Sequence, residues 1–147
     1  MMGKILGIDH GIRRIGVAVS DALGISAREL RIIERQSKRE DFALLNEIAT
    51  QETVVAIVVG IPHNDAPAGV HTQADTVRLW IERFSATTDL PIIEWDEQLT
   101  SEDAKILSKQ QGRAVDDPID DLAARIILQS YINAVHDGLA TPPDQKT

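Results

Sequence analysis

The sequence contains no cysteine. That excludes disulfide bonds and thiol chemistry, and it removes the usual ligands of structural zinc. Aromatic residues are scarce, at 3%. Both tryptophans, Trp80 and Trp95, fall on apolar faces, so they read as core side chains rather than platforms for stacked bases. Long apolar runs are missing as well. The longest, Val54 to Val59, is far too short to span a bilayer. The opening residues show no basic start followed by an apolar stretch and a cleavage site, so no secretory signal is expected. A cytoplasmic protein without a membrane association is expected. A surplus of positive charge is also absent: the formal net charge is −8 at pH 7, which by its sum argues against a nucleic-acid partner. The distribution says more. Residues 1–39 hold eight Lys or Arg against four acids, and the remainder holds seven against nineteen. The front of the chain could therefore meet a phosphate backbone, and bound cations could offset part of the acidic remainder.

What is present fits an ordinary globular composition: 147 residues, 43% hydrophobic and 26% charged. One domain over residues 1–138 is expected, followed by a flexible Pro-containing tail at 139–147. Ile5-Leu6-Gly7-Ile8 reads as a buried strand, Gly11 as part of a turn, and Ile15 to Ser20 as a second strand of the same hairpin. A third strand is expected from about Ala27 to Ile33, although Ile33 breaks its alternation. Helical spacing predicts helices over Glu40–Gln51 and Gln73–Phe84. Between them lies Val54–Val59, apolar throughout, as in a strand buried on both faces of a parallel sheet. Pro91 opens another strand. Thr100 to Asp103 offers caps for a helix to about Lys109, and Asp117-Pro118 for a last helix to about Asp137. The order predicts an α/β fold, a mixed sheet with helices on both faces.

Three acids stand out against this frame. Asp9 ends the first apolar run, Glu97 ends the strand that begins near Pro91, and Asp120 lies near the start of the last helix. A carboxylate at the end of a buried strand is unfavourable unless its charge is compensated. Converging carboxylates suit hard divalent cations. The matching chemistry is two-metal phosphodiester cleavage, in which one ion activates water and the other stabilises the leaving oxygen. By two-residue alternation Glu97 shares a strand face with Ile93 and Trp95, while Asp96 joins Glu94. Helical phase puts Asp120 in the arc of Ala123, Ile127 and Tyr131, and turns Asp121 outward beside Arg125. Asp117 as N-cap with Asp120 three residues on is the competing structural reading. The histidines His10, His63 and His71 read as solvated loop or turn residues. Asp9 followed by glycine also occurs in the phosphate loop of actin-like ATPases, a fold that needs two such domains.

Asp9-His10-Gly11-Ile12-Arg13-Arg14-Ile15-Gly16 resembles the first motif of the ribonuclease H superfamily. Taken with Ile15 to Asp21, Ile57 to Pro62 followed by Asn64, Trp95 to Thr100, and Asp120 to Ala124 leading into Ile127 to Tyr131, the chain resembles the YqgF (RuvX) family from about residue 4 to 136. The resemblance implies a ribonuclease H-like fold with a five-stranded mixed sheet, similar to Holliday-junction resolvases. It implies a nuclease acting on the 5′ end of pre-16S rRNA, with Asp9, Glu97 and Asp120 as metal ligands and catalytic residues for Mg²⁺ or Mn²⁺, expected as two ions. Arg13 and Arg14, on the hairpin beside Asp9, are expected to hold phosphate. His63, Asn64 and Arg113 are the second candidates for substrate contact. Precursor rRNA is the expected partner, branched DNA the alternative, and a binding module without activity the third; the chain is expected to act as a monomer or homodimer. Three departures from the family pattern remove or replace expected groups. Gln98 stands where Arg is usual, His63-Asn64-Asp65 replaces an Asp-Gly turn, and Arg113-Ala114-Val115-Asp116-Asp117 replaces a basic segment.

Overall fold

The two apolar runs at the front of the chain pair with each other. In the computed structural model, which describes residues 2–63, 66–97 and 101–143, β1 (Ile5–His10) and β2 (Arg14–Ser20) are antiparallel, with Asp9 opposite Gly16. β3 (Ala27–Glu34) continues the sheet antiparallel to β2. Its register shifts opposite Val17 and Ala18, passing from Arg31 to Glu29. This bulge explains why the alternation fails near Ile33, which turns inward to the core.

Parallel pairing needs crossovers, and helices supply them. α1 (Lys38–Glu52), capped by Ser37, leads into β4 (Ala56–Pro62), which lies parallel to β1. α2 (Gln73–Ser85), opened by a reciprocal Thr72–Asp75 capping box, leads to β5 (Ile92–Glu97), parallel to β4. α3 (Ser101–Gln110) and α4 (Asp120–His136) follow. The strand order is β3-β2-β1-β4-β5, a mixed five-stranded sheet as expected.

Alternation divides the sheet into two faces. Leu6, Ile8, Val17, Val19, Ile57, Val59 and Ile61 pack with residues of α1 and α2. Ile5, Ala18, Val58, Ile93 and Trp95 pack with Ala124, Ile127, Leu128 and Tyr131 of α4. Small residues let α4 come close on that second face. A Cβ at Gly7 would lie 2.7 Å from Leu128 Cβ, one at Gly60 2.6 Å from Ile127 Cδ1, and one at Gly16 would overlap the backbone carbonyl of Asp120.

The start of α4 differs from the sequence expectation. Its N-cap is Ile119, with no side-chain capping bond. Asp117 instead accepts from the amide of Ala114 at 2.7 Å and closes the preceding turn. Past α4 the chain returns onto it: Tyr131 donates its hydroxyl to the Thr141 carbonyl at 2.6 Å, and Ala140 packs beside the α4-face core. The segment expected as a tail is thus docked as far as the buried Pro143. No described helix is long and apolar enough to cross a membrane.

Candidate active site

Asp9 shares its strand face with Ile5 and Gly7, so alternation aims it at α4. Glu97 shares the same face of the sheet with Ile93 and Trp95. Both occupy the carboxyl ends of parallel-paired strands, β1 and β5, on either side of β4. Asp120 arrives from the opposite direction, in the first turn of α4, because Gly16 leaves room for the helix there.

Glu97 and Asp120 both reach Asp9 through their charge. The Asp9 carboxyl is pushed up to about 7, first by burial and then by the like charges of Glu97 and Asp120. No cation or donor among the described residues offsets this. Burial also holds Glu97 above the usual range. Asp120 differs: Arg14 Nε donates to its Oδ2 at 2.9 Å, with the Asp120 side chain 19% exposed and that of Arg14 33%. That bond holds the Arg14 guanidinium above its ordinary pKa.

Among the described residues no three acidic or histidine groups form a ready-made cation cage. The donor set nevertheless fits a hard divalent cation. Its oxygens are carboxylates, and among the described residues no cation pairs with Asp9 or Glu97. The Asp120–Arg14 pair is the part that would have to rearrange.

The other sequence-nominated residues separate. Arg13 is exposed at the tip of the β1–β2 hairpin. His63 is exposed and directly follows Pro62, the β4 residue paired with Glu97. Asn64, Gln98 and Thr100 lie outside the described residues. Arg113 is not brought to the acids as a free cation: it grips Asp121 with two bonds of 2.9 and 3.0 Å and donates to the Pro118 carbonyl at 3.2 Å. Asp121 is accordingly buried, at 8% exposure, not turned outward beside Arg125. Arg125 pairs with Glu29 of β3 instead, at 3.0 Å. The sequence alone could not choose, because Arg113 returns to α4 from an irregular loop with no periodicity.

The model of the RuvX family, described as Holliday junction resolvase, matches residues 3–134. The chain belongs to the RuvX family. A relative from Syntrophus aciditrophicus (strain SB), named "Putative pre-16S rRNA nuclease", is 37% identical over 136 residues, covering 90% of this chain and 89% of that protein. One of the same name from Symbiobacterium thermophilum is 38% identical and covers 96% and 97%. Among solved structures, Thermus thermophilus RuvC in complex with a Holliday junction substrate matches with a TM-score of 0.61 at 15% identity, over 95% of this chain and 99% of that one. The yeast mitochondrial Holliday junction resolvase Ydc2 matches with a TM-score of 0.53 at 11% identity, over 89% and 78%. The fold is therefore ribonuclease H-like, as the resemblance implied.

Two features of this RuvX chain escaped the sequence reading. His10, expected as a solvated turn residue, is 7% exposed. It sits 4.8 Å from the Trp80 ring, and neither ring nitrogen has a partner among the described residues. Burial lowers its pKa to about 4, with the charge of Arg35 adding to the effect. The signal was available, since alternation puts His10 on the face of Leu6 and Ile8. The other is Arg35, which donates through Nη1 to the carbonyls of Gly11 at 3.0 Å and Ile12 at 3.1 Å. Nothing in its local pattern separates it from Arg31 or Arg39.

Proposed function

We propose that this protein is a divalent-metal-dependent nuclease that hydrolyses phosphodiester bonds of precursor ribosomal RNA, in the cytoplasm, during ribosome biogenesis. The observation that carries the reading is the Asp9 carboxyl, held up to about 7 by burial and by two neighbouring acids. Clustered like charge of this kind is unfavourable to the fold and persists where a cation is to be received. The names of the curated relatives support the RNA substrate.

Asp9, Glu97 and Asp120 would hold Mg²⁺ or Mn²⁺, two ions in this reading. When bound, such ions supply an activated water and charge stabilisation at the leaving oxygen. The chain's own residues do the rest. Asp9, whose carboxyl is raised to about 7, would hold the ion as the carboxylate. Asp120, now paired with Arg14, would hold the ion in its place, and the Arg14 guanidinium would then be free to meet a substrate phosphate. Arg13, exposed beside it, steers the backbone of the strand.

The test is cleavage of three labelled substrates: the 5′ region of precursor 16S rRNA, single-stranded RNA and a four-way DNA junction. Each is incubated with Mg²⁺, with Mn²⁺ and with EDTA. Metal-dependent cutting of the rRNA that vanishes in Asp9→Asn is expected. Preferential cutting of the junction would favour a resolvase, the activity in the family's description. Binding without cutting would favour a module that keeps the fold alone.

A further inference from the structure

The β1–β2 hairpin tip is braced in an unusual way. The Gly11 amide donates to the Arg14 carbonyl at 2.9 Å, and the Arg35 amide donates to the Arg13 carbonyl at 3.0 Å. The Arg35 guanidinium takes the Gly11 and Ile12 carbonyls. All four tip carbonyls, residues 11 to 14, thus have an internal donor, so the backbone is fixed. Its outermost side chains, Ile12 and Arg13, face solvent. Ile12 is 78% exposed, and Arg13 beside it is exposed and enters no ion pair among the described residues. A Cβ on Gly11 would be 3.6 Å from Asp120 Oδ1, so the tip begins in contact range of the third acid.

We propose that Ile12 is a specificity-determining residue: its side chain packs against the face of an unpaired nucleobase next to the scissile phosphate. This rests on the nuclease reading above. The physical case has three parts. A large aliphatic side chain on a rigid tip recovers hydrophobic free energy only when something apolar covers it. The adjacent Arg13 and the acids call for phosphate at the same place, so the cover belongs to a nucleotide. Inside a duplex the faces of the bases are already stacked, so only an unpaired base offers its face. Rigidity from Arg35 reduces the ordering entropy of that contact.

The test compares the full-length wild type with Ile12→Ser and Ile12→Leu on a single-stranded RNA in Mn²⁺. The same RNA is also made with one abasic residue, walked across the cleavage position. Ile12→Ser should raise KM roughly fivefold to tenfold, the loss expected when one apolar contact becomes polar, with little change in kcat. Ile12→Leu should restore the wild-type KM. The effect of Ile12→Ser should disappear on the RNA whose abasic residue adjoins the cut, because the base it contacts is already gone. Thermal unfolding of Ile12→Ser should match the wild type, since the site is exposed. Unchanged KM in Ile12→Ser, or an equal loss on every abasic RNA, overturns the proposal while leaving an active wild type as a nuclease. Unchanged kinetics with altered self-association in sedimentation would move Ile12 to a protein contact and overturns it too. A wild type that neither cuts nor binds nucleic acid overturns the nuclease reading and this inference together.

Discussion

Asp9 and His10 are neighbours in sequence and opposites in surroundings. Both are titratable, and in both the same cause, burial, favours the neutral form. Asp9 is driven up to about 7 and His10 down to about 4. The difference lies in the face each one meets. Asp9 turns to α4, where the charges of Glu97 and Asp120 add to the effect of burial. His10 turns to the α1 and α2 face, beside the Trp80 ring, where burial favours the uncharged ring and neither of its nitrogens has a partner among the described residues. A strand that ends between two helical layers can thus place a reactive group and a packing group one residue apart. The desolvation is shared; the company is what separates a candidate site from a core.

The sharpest way to break this contrast is to neutralise Asp9. Asp9→Asn should lower metal-dependent cleavage by at least about a hundredfold, given the several kcal/mol that bound metal contributes to such transition states. It should also stabilise the metal-free protein at pH 8. A carboxyl whose folded pKa lies above its unfolded value of 3.8 subtracts stability as pH rises from about 4 to about 7. The gain should be on the order of 2–4 kcal/mol, read from denaturant unfolding in EDTA. Added Mg²⁺ or Mn²⁺ should stabilise the wild type and not the variant.

The first turn of α4 offers a second contrast. Asp121→Ala removes the buried partner of Arg113 and should cost roughly 2–3 kcal/mol of stability. Asp120→Asn loosens only the partly exposed pair with Arg14, worth about 1 kcal/mol or less, yet should abolish most cleavage. Denaturation midpoints and cleavage rates measured on both variants would show this. Equal stability losses would mean that the two acids are not divided between structure and site.

pH separates the two neighbours directly. His10 is depressed from 6.5 to about 4 in the folded state, so its contribution is present above pH 6.5 and fades as pH falls toward 4. Asp9 has the opposite slope in that window. In EDTA, Asp9→Asn should therefore lose stability on acidification from pH 7 to 4.5, by roughly 2 kcal/mol. His10→Phe should gain it. Parallel curves for the two variants would show that the residues do not sit in opposed environments.

The smallest effect concerns Arg13. Arg13→Ala should reduce the slope of log affinity against log salt for RNA by roughly 0.7 to 0.9, leaving Mg²⁺ affinity unchanged. Anisotropy across a salt series measures it, and an unaltered slope would send the substrate path away from the hairpin tip.

The sequence by itself determined the strands and their faces, because side-chain period and apolar runs are local properties. It nominated Asp9, Glu97 and Asp120, since acids at the ends of buried strands and at the start of a helix are visible without a fold. It also held the burial of His10, readable from the alternation of β1 even though an adjacent turn suggested solvent. Where α4 begins, which of two adjacent aspartates is locked to Arg113, and that Arg35 braces a hairpin more than twenty residues away were decided only by tertiary structure. Each depends on groups far apart in sequence. The approach of α4 over Gly16 sets where Asp120 lies, and the return of the irregular loop at Arg113 buries Asp121. Pairwise contacts of that kind carry no periodicity, and they form only once the sheet has brought the two partners to the same place.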